Sequence, residues 1–230
     1  MKPVLEVENL TFGYDPKHPI LRGISFSVFE GECVSIIGAN GAGKTTLVWC
    51  LVGLFKANGS VRFFGEKIGK RSLARVGVVF QNPEDQLFMP SLLKDVTLPL
   101  VNRGASAEAA EERAWAALDS MGLRDSAYRP ASQLSLGERK RAAIAAALAG
   151  SPDLLLLDEP TAELDGRSTR RLAAVLRQLP VARLITSHQL DFLRDFSSRT
   201  LVVSDGQIVA EGPTCQILGD QALLEKAGLI

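Results

Sequence analysis

Apolar and charged residues alternate along Val4–Asn9, and apolar and small polar residues alternate along Ile24–Val28. This is the period-two pattern of half-buried strands, with the turn-rich stretch GYDPKHP between them. Cys33–Ile37 (CVSII) is a short, nearly continuous apolar run and predicts a buried strand, and Leu47–Leu54 predicts a helix. Ser60–Phe64 and Val76–Phe80 are further short β-type runs, so the first third is β-rich. Prolines 83, 90 and 99 then interrupt the chain. Ser106–Met121 follows with strong helix formers, placing Trp115, Leu118 and Met121 along one side at helical spacing. After Pro130 the pattern predicts a helix at Glu138–Gly150, a strand at Leu154–Leu157, a helix at Arg167–Leu179 and a strand at Arg183–Thr186. Thr200–Val203 and Gln207–Glu211 flank Ser-Asp-Gly, a hairpin signal. Helices alternating with continuous apolar strands predict an α/β fold with a mostly parallel sheet covered on both faces. Residues 1–230 form one expected domain, with a helical subdomain inserted at about 82–150.

Composition narrows the classes. Apolar residues make up 46% of the 230, ample for a packed interior, while Lys+Arg and Asp+Glu number 26 each. A net charge of zero argues against a sequence-independent nucleic-acid binder, which needs a basic face to displace counterions. Cys33, Cys50 and Cys215 are odd in number and widely spaced, which suggests reduced thiols in a cytosolic protein rather than a disulfide framework. The start, MKPVLEVENL, has no uninterrupted apolar run, so export is not expected. Ala142–Gly150 is too short for the roughly 20 apolar residues of a membrane span. Any membrane role is therefore expected to be peripheral.

The chemistry begins at Gly38–Thr46, GANGAGKTT, which fits G-x-x-x-x-G-K-[ST]. Residues Gly38, Ala39, Asn40, Gly41, Ala42, Gly43, Lys44, Thr45 and Thr46 lie between a predicted strand and a predicted helix. There, backbone N–H groups can wrap a polyphosphate and the helix dipole faces the anion. Lys44 supplies a cation, and the Thr45 hydroxyl is placed for Mg²⁺. Further on, LLLLDE delivers Asp158 and Glu159 at a strand end, where ligands of open α/β sheets bind. Asp158 suits Mg²⁺, and Glu159 suits a water attacking the γ-phosphate. In LSLGER, Ser135 and Glu138 form a capping box; the same helix start, with Gly137, is also a second anion-binding terminus.

In order, the chain carries this phosphate loop, Gln81, LSLGE, LLLLDE, AELD (Ala162–Asp165) and His188 after RLITS. Over nearly its whole length it resembles the ATP-binding subunits of ABC transporters. QNPEDQLF (Gln81–Phe88) makes it similar to the energy-coupling-factor ATPases of cobalt, nickel or vitamin uptake. The resemblance implies a P-loop NTPase core with an N-terminal antiparallel β subdomain, and ATP and Mg²⁺ as ligands. It implies that Tyr14 stacks on adenine, that Gln81 touches the Mg²⁺ site with Thr45 and Asp158, and that His188 contacts the γ-phosphate. It further implies that Asp165 bridges two protomers, with Ser135 and Gly137 reaching the partner's ATP. The implied partners are a second copy or a related ATPase, together with integral membrane subunits at the cytoplasmic face of the membrane. Phe88 and Met89 suit either an exposed apolar contact with such a subunit or core packing.

Two positions depart from the usual LSGGQ. Leu136 stands in place of a glycine, and Glu138 in place of glutamine. The sequence also ends soon after its last helix, so the longer C-terminal extension of many members of that family is not expected. Two further readings stay open. A soluble ABC ATPase outside transport would show tandem cassettes, a long coiled-coil insertion or a basic face, none of which is visible. The other, an ATP-gated dimerisation module with little turnover, is kept open by LSLGE.

Overall fold

The computed structural model describes residues 2–15 and 17–230; Pro16, within the predicted turn, lies outside the described residues. In chain order the elements are β1 (Pro3–Phe12), β2 (Leu21–Phe29), β3 (Cys33–Ile37), α1 (Lys44–Leu51), β4 (Asn58–Phe63), β5 (Glu66–Lys67), α2 (Lys70–Leu73) and β6 (Val76–Val79). There follow α3 (Leu92–Asn102), α4 (Ala107–Ser120), α5 (Leu136–Ala149), β7 (Leu154–Asp158), α6 (Gly166–Arg177), β8 (Ala182–Thr186) and α7 (Leu190–Arg194). The chain closes with β9 (Arg199–Ser204), β10 (Gln207–Pro213), α8 (Thr214–Gly219) and α9 (Gln221–Lys226).

Two sheets form. One is antiparallel, in the order β2-β1-β4-β5; the other runs β10-β9-β3-β8-β7-β6 and is parallel except for the β9–β10 hairpin. That hairpin turns at Asp205 and Gly206, both at positive φ, as a two-residue type I′ turn requires. The run of leucines in β7 has a simple cause. Leu154 and Leu156 face a core shared with the antiparallel sheet and α1, while Leu155 and Leu157 face a core shared with the helices. All four are fully buried, each contributing about 1.5–3 kcal/mol of apolar transfer.

Helices α3, α4 and α5 lie between β6 and β7 in the chain and pack on one another. Two expectations need correction here. Pro99 does not break the segment but sits inside α3, which Ser91 caps and the buried Leu92, Leu93, Val96 and Leu100 anchor; packing overrides the local penalty. The buried stripe of α4 is Ala110, Ala114, Ala117 and Leu118, running on to Met121, whereas Trp115 is half-buried against Tyr128 and Arg124. Small alanines let α4 and α5 approach closely, and bulk alone did not mark that face. The predicted helix at Leu47–Leu54 begins earlier, at Lys44, and leaves Leu54 exposed. Cys33 and Cys50 are buried thiols, and burial pushes each up to about 11.

Candidate functional site

Parallel pairing sets three strand ends side by side. β8 lies between β3 and β7, with Ile36 opposite Thr186 and Asp158 opposite Thr186. The phosphate loop therefore opens beside the acidic end of β7 and beside His188, two residues past β8. Gly43, at φ 98°, caps α1 with no side-chain cap hydrogen bond and no acidic residue in the first turn, so nothing at the helix start opposes binding of an anion. Gly41, at φ 83°, needs glycine for its backbone. Gly38 needs it for another reason: a Cβ there would lie 2.4 Å from the Val203 carbonyl oxygen. The loop is thus seated on β9 before any ligand arrives.

Lys44 Nζ, buried at the floor of the loop, donates to the carbonyls of Gly38 (2.8 Å) and Ala39 (3.2 Å) and lies 3.9 Å from Glu159 Oε1. Burial lowers its pKa, and the charges of Glu159 and Asp158 oppose that shift. Glu159 occupies the left-handed region at φ 45°, a conformation that costs about 1–3 kcal/mol outside glycine. Its N–H donates to the Thr186 carbonyl (3.1 Å) and to Thr186 Oγ1 (2.9 Å), which fixes the bend and aims the carboxylate. His188 Nδ1 lies 2.8 Å from Glu159 Oε2. A cavity of about 560 Å³ is lined by Asn40, Gly41, Gly43, Lys44, Thr45, Thr46, Gln81, Glu159, Glu163 and His188.

Asp158 tests the fit of a divalent cation. Its Oδ1 accepts from Thr186 Oγ1 at 2.5 Å, whereas Oδ2 is buried without a partner. Burial raises its pKa; the Thr186 and Thr45 hydroxyls and Lys44 pull it down, and Glu159 adds to the rise. A second cavity of about 500 Å³ is lined by Thr45, Gln81 and Asp158 together. One carboxylate, one hydroxyl and one amide, completed by phosphate oxygens and water, is the hard oxygen set that Mg²⁺ takes. The residues therefore fit the ion.

The remaining candidates do not line these two cavities, although Leu136, between Ser135 and Gly137, lines the second. Ser135 caps α5 and exchanges hydrogen bonds with Glu138: Ser135 N–H and Oγ donate to Glu138 Oε2 at 2.9 and 2.7 Å, and Glu138 N–H donates to Ser135 Oγ at 3.3 Å. The Ser135 hydroxyl and its backbone N–H hold the Glu138 carboxyl below its ordinary value. Gly137 packs near the start of α6, where a Cβ would meet Ser168 Oγ at 3.3 Å. Asp165 caps α6, accepting from the N–H groups of Arg167 and Ser168 at 2.8 Å each. Tyr14 is 66% exposed and meets Phe12 and Phe55 edge-on. Phe88 is also exposed.

Three residues escaped sequence reasoning. Thr186 is a polar residue closing an apolar strand, Lys140 is a buried cation in an alanine-rich helix, and Glu163 lines both cavities. Thr186 breaks an apolar pattern, and that break was the available signal; Lys140 sits in the charged run ERKR, where nothing marked it.

Comparisons with known proteins agree with this geometry. A family model described as "ABC transporter" matches residues 21–162. The energy-coupling factor transporter ATP-binding protein EcfA of Methanosphaera stadtmanae is 38% identical over 239 residues, covering 100% of this chain and 86% of its own. The structure of CbiO1 from Clostridium perfringens, described as part of the ABC transporter complex CbiONQ, superposes with a TM-score of 0.84 at 29% identity, over 100% of this chain and 96% of that one. A dimeric ATP-binding cassette in a post-hydrolysis state, bound to ADP and Pi, gives 0.81 at 28% identity over 91% and 98%. No helix among the described residues is long and apolar enough to cross a membrane. The chain belongs to the ATP-binding domains of the ABC transporter family, and it is an ATPase of that family.

Proposed function

We propose that this ATPase drives an importer of the energy-coupling-factor kind, closing as a dimer around two Mg-ATP molecules at the cytoplasmic face of the membrane and powering uptake of a metal ion such as cobalt or nickel, or of a vitamin. The observation that carries the hydrolytic part is Glu159, held in a strained bend between Lys44 and His188. Its carboxylate accepts a hydrogen bond from the attacking water, which aligns in line with the leaving oxygen. Lys44, His188 and the N–H groups of the loop meet the charge that builds on the γ-phosphoryl oxygens. Thr45, Gln81 and Asp158 would hold Mg²⁺, whose chemistry is to neutralise charge on the β- and γ-phosphates.

A dimeric neighbour among the ATP-binding cassettes supports the two-protomer reading. Ser135 and Gly137 do not line this chain's own phosphate cavity, and in our reading a second protomer, either a copy or a related ATPase, brings the helix that begins at its LSLGE to that cavity. Asp165 sits at the start of α6, next to Gly137's helix start, and is our candidate for contact between protomers. Tyr14, exposed beside Phe55, is the candidate adenine platform. We read residues 82–150 as a helical subdomain within one ATPase domain of residues 1–230. The names of the relatives EcfA, an energy-coupling factor transporter protein, and CbiO1, part of a transporter complex, support the membrane partner.

The test is purification of the chain from its native cells in mild detergent, with mass spectrometry of what accompanies it. A stoichiometric integral membrane protein supports the reading, and that protein's companion subunits identify the cargo. Recovery of ribosomal or DNA-associated partners alone overturns it.

A further inference from the structure

Lys140 is 4% exposed, on an α5 face otherwise rich in alanine. Its Nζ donates to two backbone carbonyls from distant parts of the chain, Gln81 (3.3 Å) and Glu159 (3.1 Å). Burying an ammonium is expensive, and a methionine would fill the same helical site without that penalty. The acceptors are main-chain oxygens, so what the lysine fixes is the course of two loops. One loop carries the amide that lines both cavities, and the other carries the carboxylate beside His188.

We propose that Lys140 is a positioning residue for hydrolysis: it ties α5 to the main chain of Gln81 and of Glu159, and so holds the amide and the carboxylate at the spacing the attacking water needs. This rests on the ATPase reading above and assigns that site a member that lines the second cavity and acts through two backbone carbonyls. Glu163 completes the setting. It lies at φ 62° and lines both cavities; burial lowers the Lys140 pKa, and the charges of Glu163, Glu159 and Asp158 oppose that shift.

The experiment is steady-state ATP hydrolysis by the full chain for Lys140→Met, Lys140→Gln and Lys140→Arg beside wild type and Glu159→Gln, with melting temperatures for each. The expected result is a kcat lowered about 10–100-fold in Lys140→Met at a KM for ATP within about twofold of wild type, since small misplacement of a reacting group costs rate at that scale. Lys140→Arg, whose guanidinium still offers several donors, recovers most of the loss, and Lys140→Gln falls between. If Lys140→Met does not fold, the order of kcat among wild type, Arg and Gln at constant KM carries the same test. Wild-type kcat in folded Lys140→Met or Lys140→Gln overturns the inference alone. So does a fall in kcat that tracks melting temperature and KM together, which marks a structural role. Wild-type turnover that does not depend on Glu159 removes the catalytic reading itself, and this inference with it.

Discussion

His188 Nδ1 and Glu159 Oε2 lie 2.8 Å apart, joining a residue two positions beyond β8 to the residue just beyond β7. The ring thus restrains the carboxylate and stands on the lip of the phosphate cavity. His188→Ala removes the restraint and a donor for the γ-phosphoryl oxygens. We expect kcat to fall about 10²–10³-fold, with ATP affinity changed far less, because the loop and Lys44 are untouched. Paired hydrolysis and nucleotide-binding titrations check this; a variant that loses affinity and keeps kcat contradicts it.

The glycines of the loop separate by mechanism. Gly38→Ala drives a Cβ against the Val203 carbonyl, whereas Gly41→Ala meets nothing within 4 Å and suffers only from its positive φ. Overpacking predicts a loss of about 1–3 kcal/mol for Gly38→Ala, with displacement of the loop from β9 and weaker ATP binding. Gly41→Ala is expected to lose about 1 kcal/mol. Thermal unfolding of both variants gives the order, and the reverse order contradicts the seat on β9.

Much of the site was legible because its residues break or complete strong patterns. GANGAGKTT has a fixed spacing, and LLLLDE is a two-faced buried strand ending in carboxylates. What stayed hidden depended on packing between distant segments. The need for glycine at Gly38 comes from Val203, far along the chain, and the strain at Glu159 is held by Thr186 on a neighbouring strand. Pro99 misled because local propensity outweighs burial only when a helix has little to bury. Lys140 was invisible because a lysine near a helix start usually faces water.

The join between the sheets depends on pH. Arg199 forms a bidentate pair with Glu32, Nε to Oε1 at 2.7 Å and Nη2 to Oε2 at 2.9 Å, and also bonds Glu211 and the Ser27 carbonyl. Burial raises the Glu32 pKa, but the Arg199 hydrogen bonds and charge and the Phe29 N–H outweigh it, so the folded value lies below the ordinary 4.5. The stabilisation is therefore complete above that value and is lost as pH falls through the lowered one. Glu32→Gln is expected to destabilise by about 1–3 kcal/mol near neutral pH, the gap to wild type closing on acidification. Melting curves across pH check the sign; a gap that widens toward acid contradicts it.

The central claim is that Glu159 performs hydrolysis at a site whose nucleotide is held by other groups. The direct measurement is ATP turnover by Glu159→Gln, with bound ATP and oligomeric state followed on the same sample. The account predicts retained ATP binding, turnover reduced about 10²–10⁴-fold, and accumulation of an ATP-dependent dimer. Turnover at the wild-type rate would contradict it.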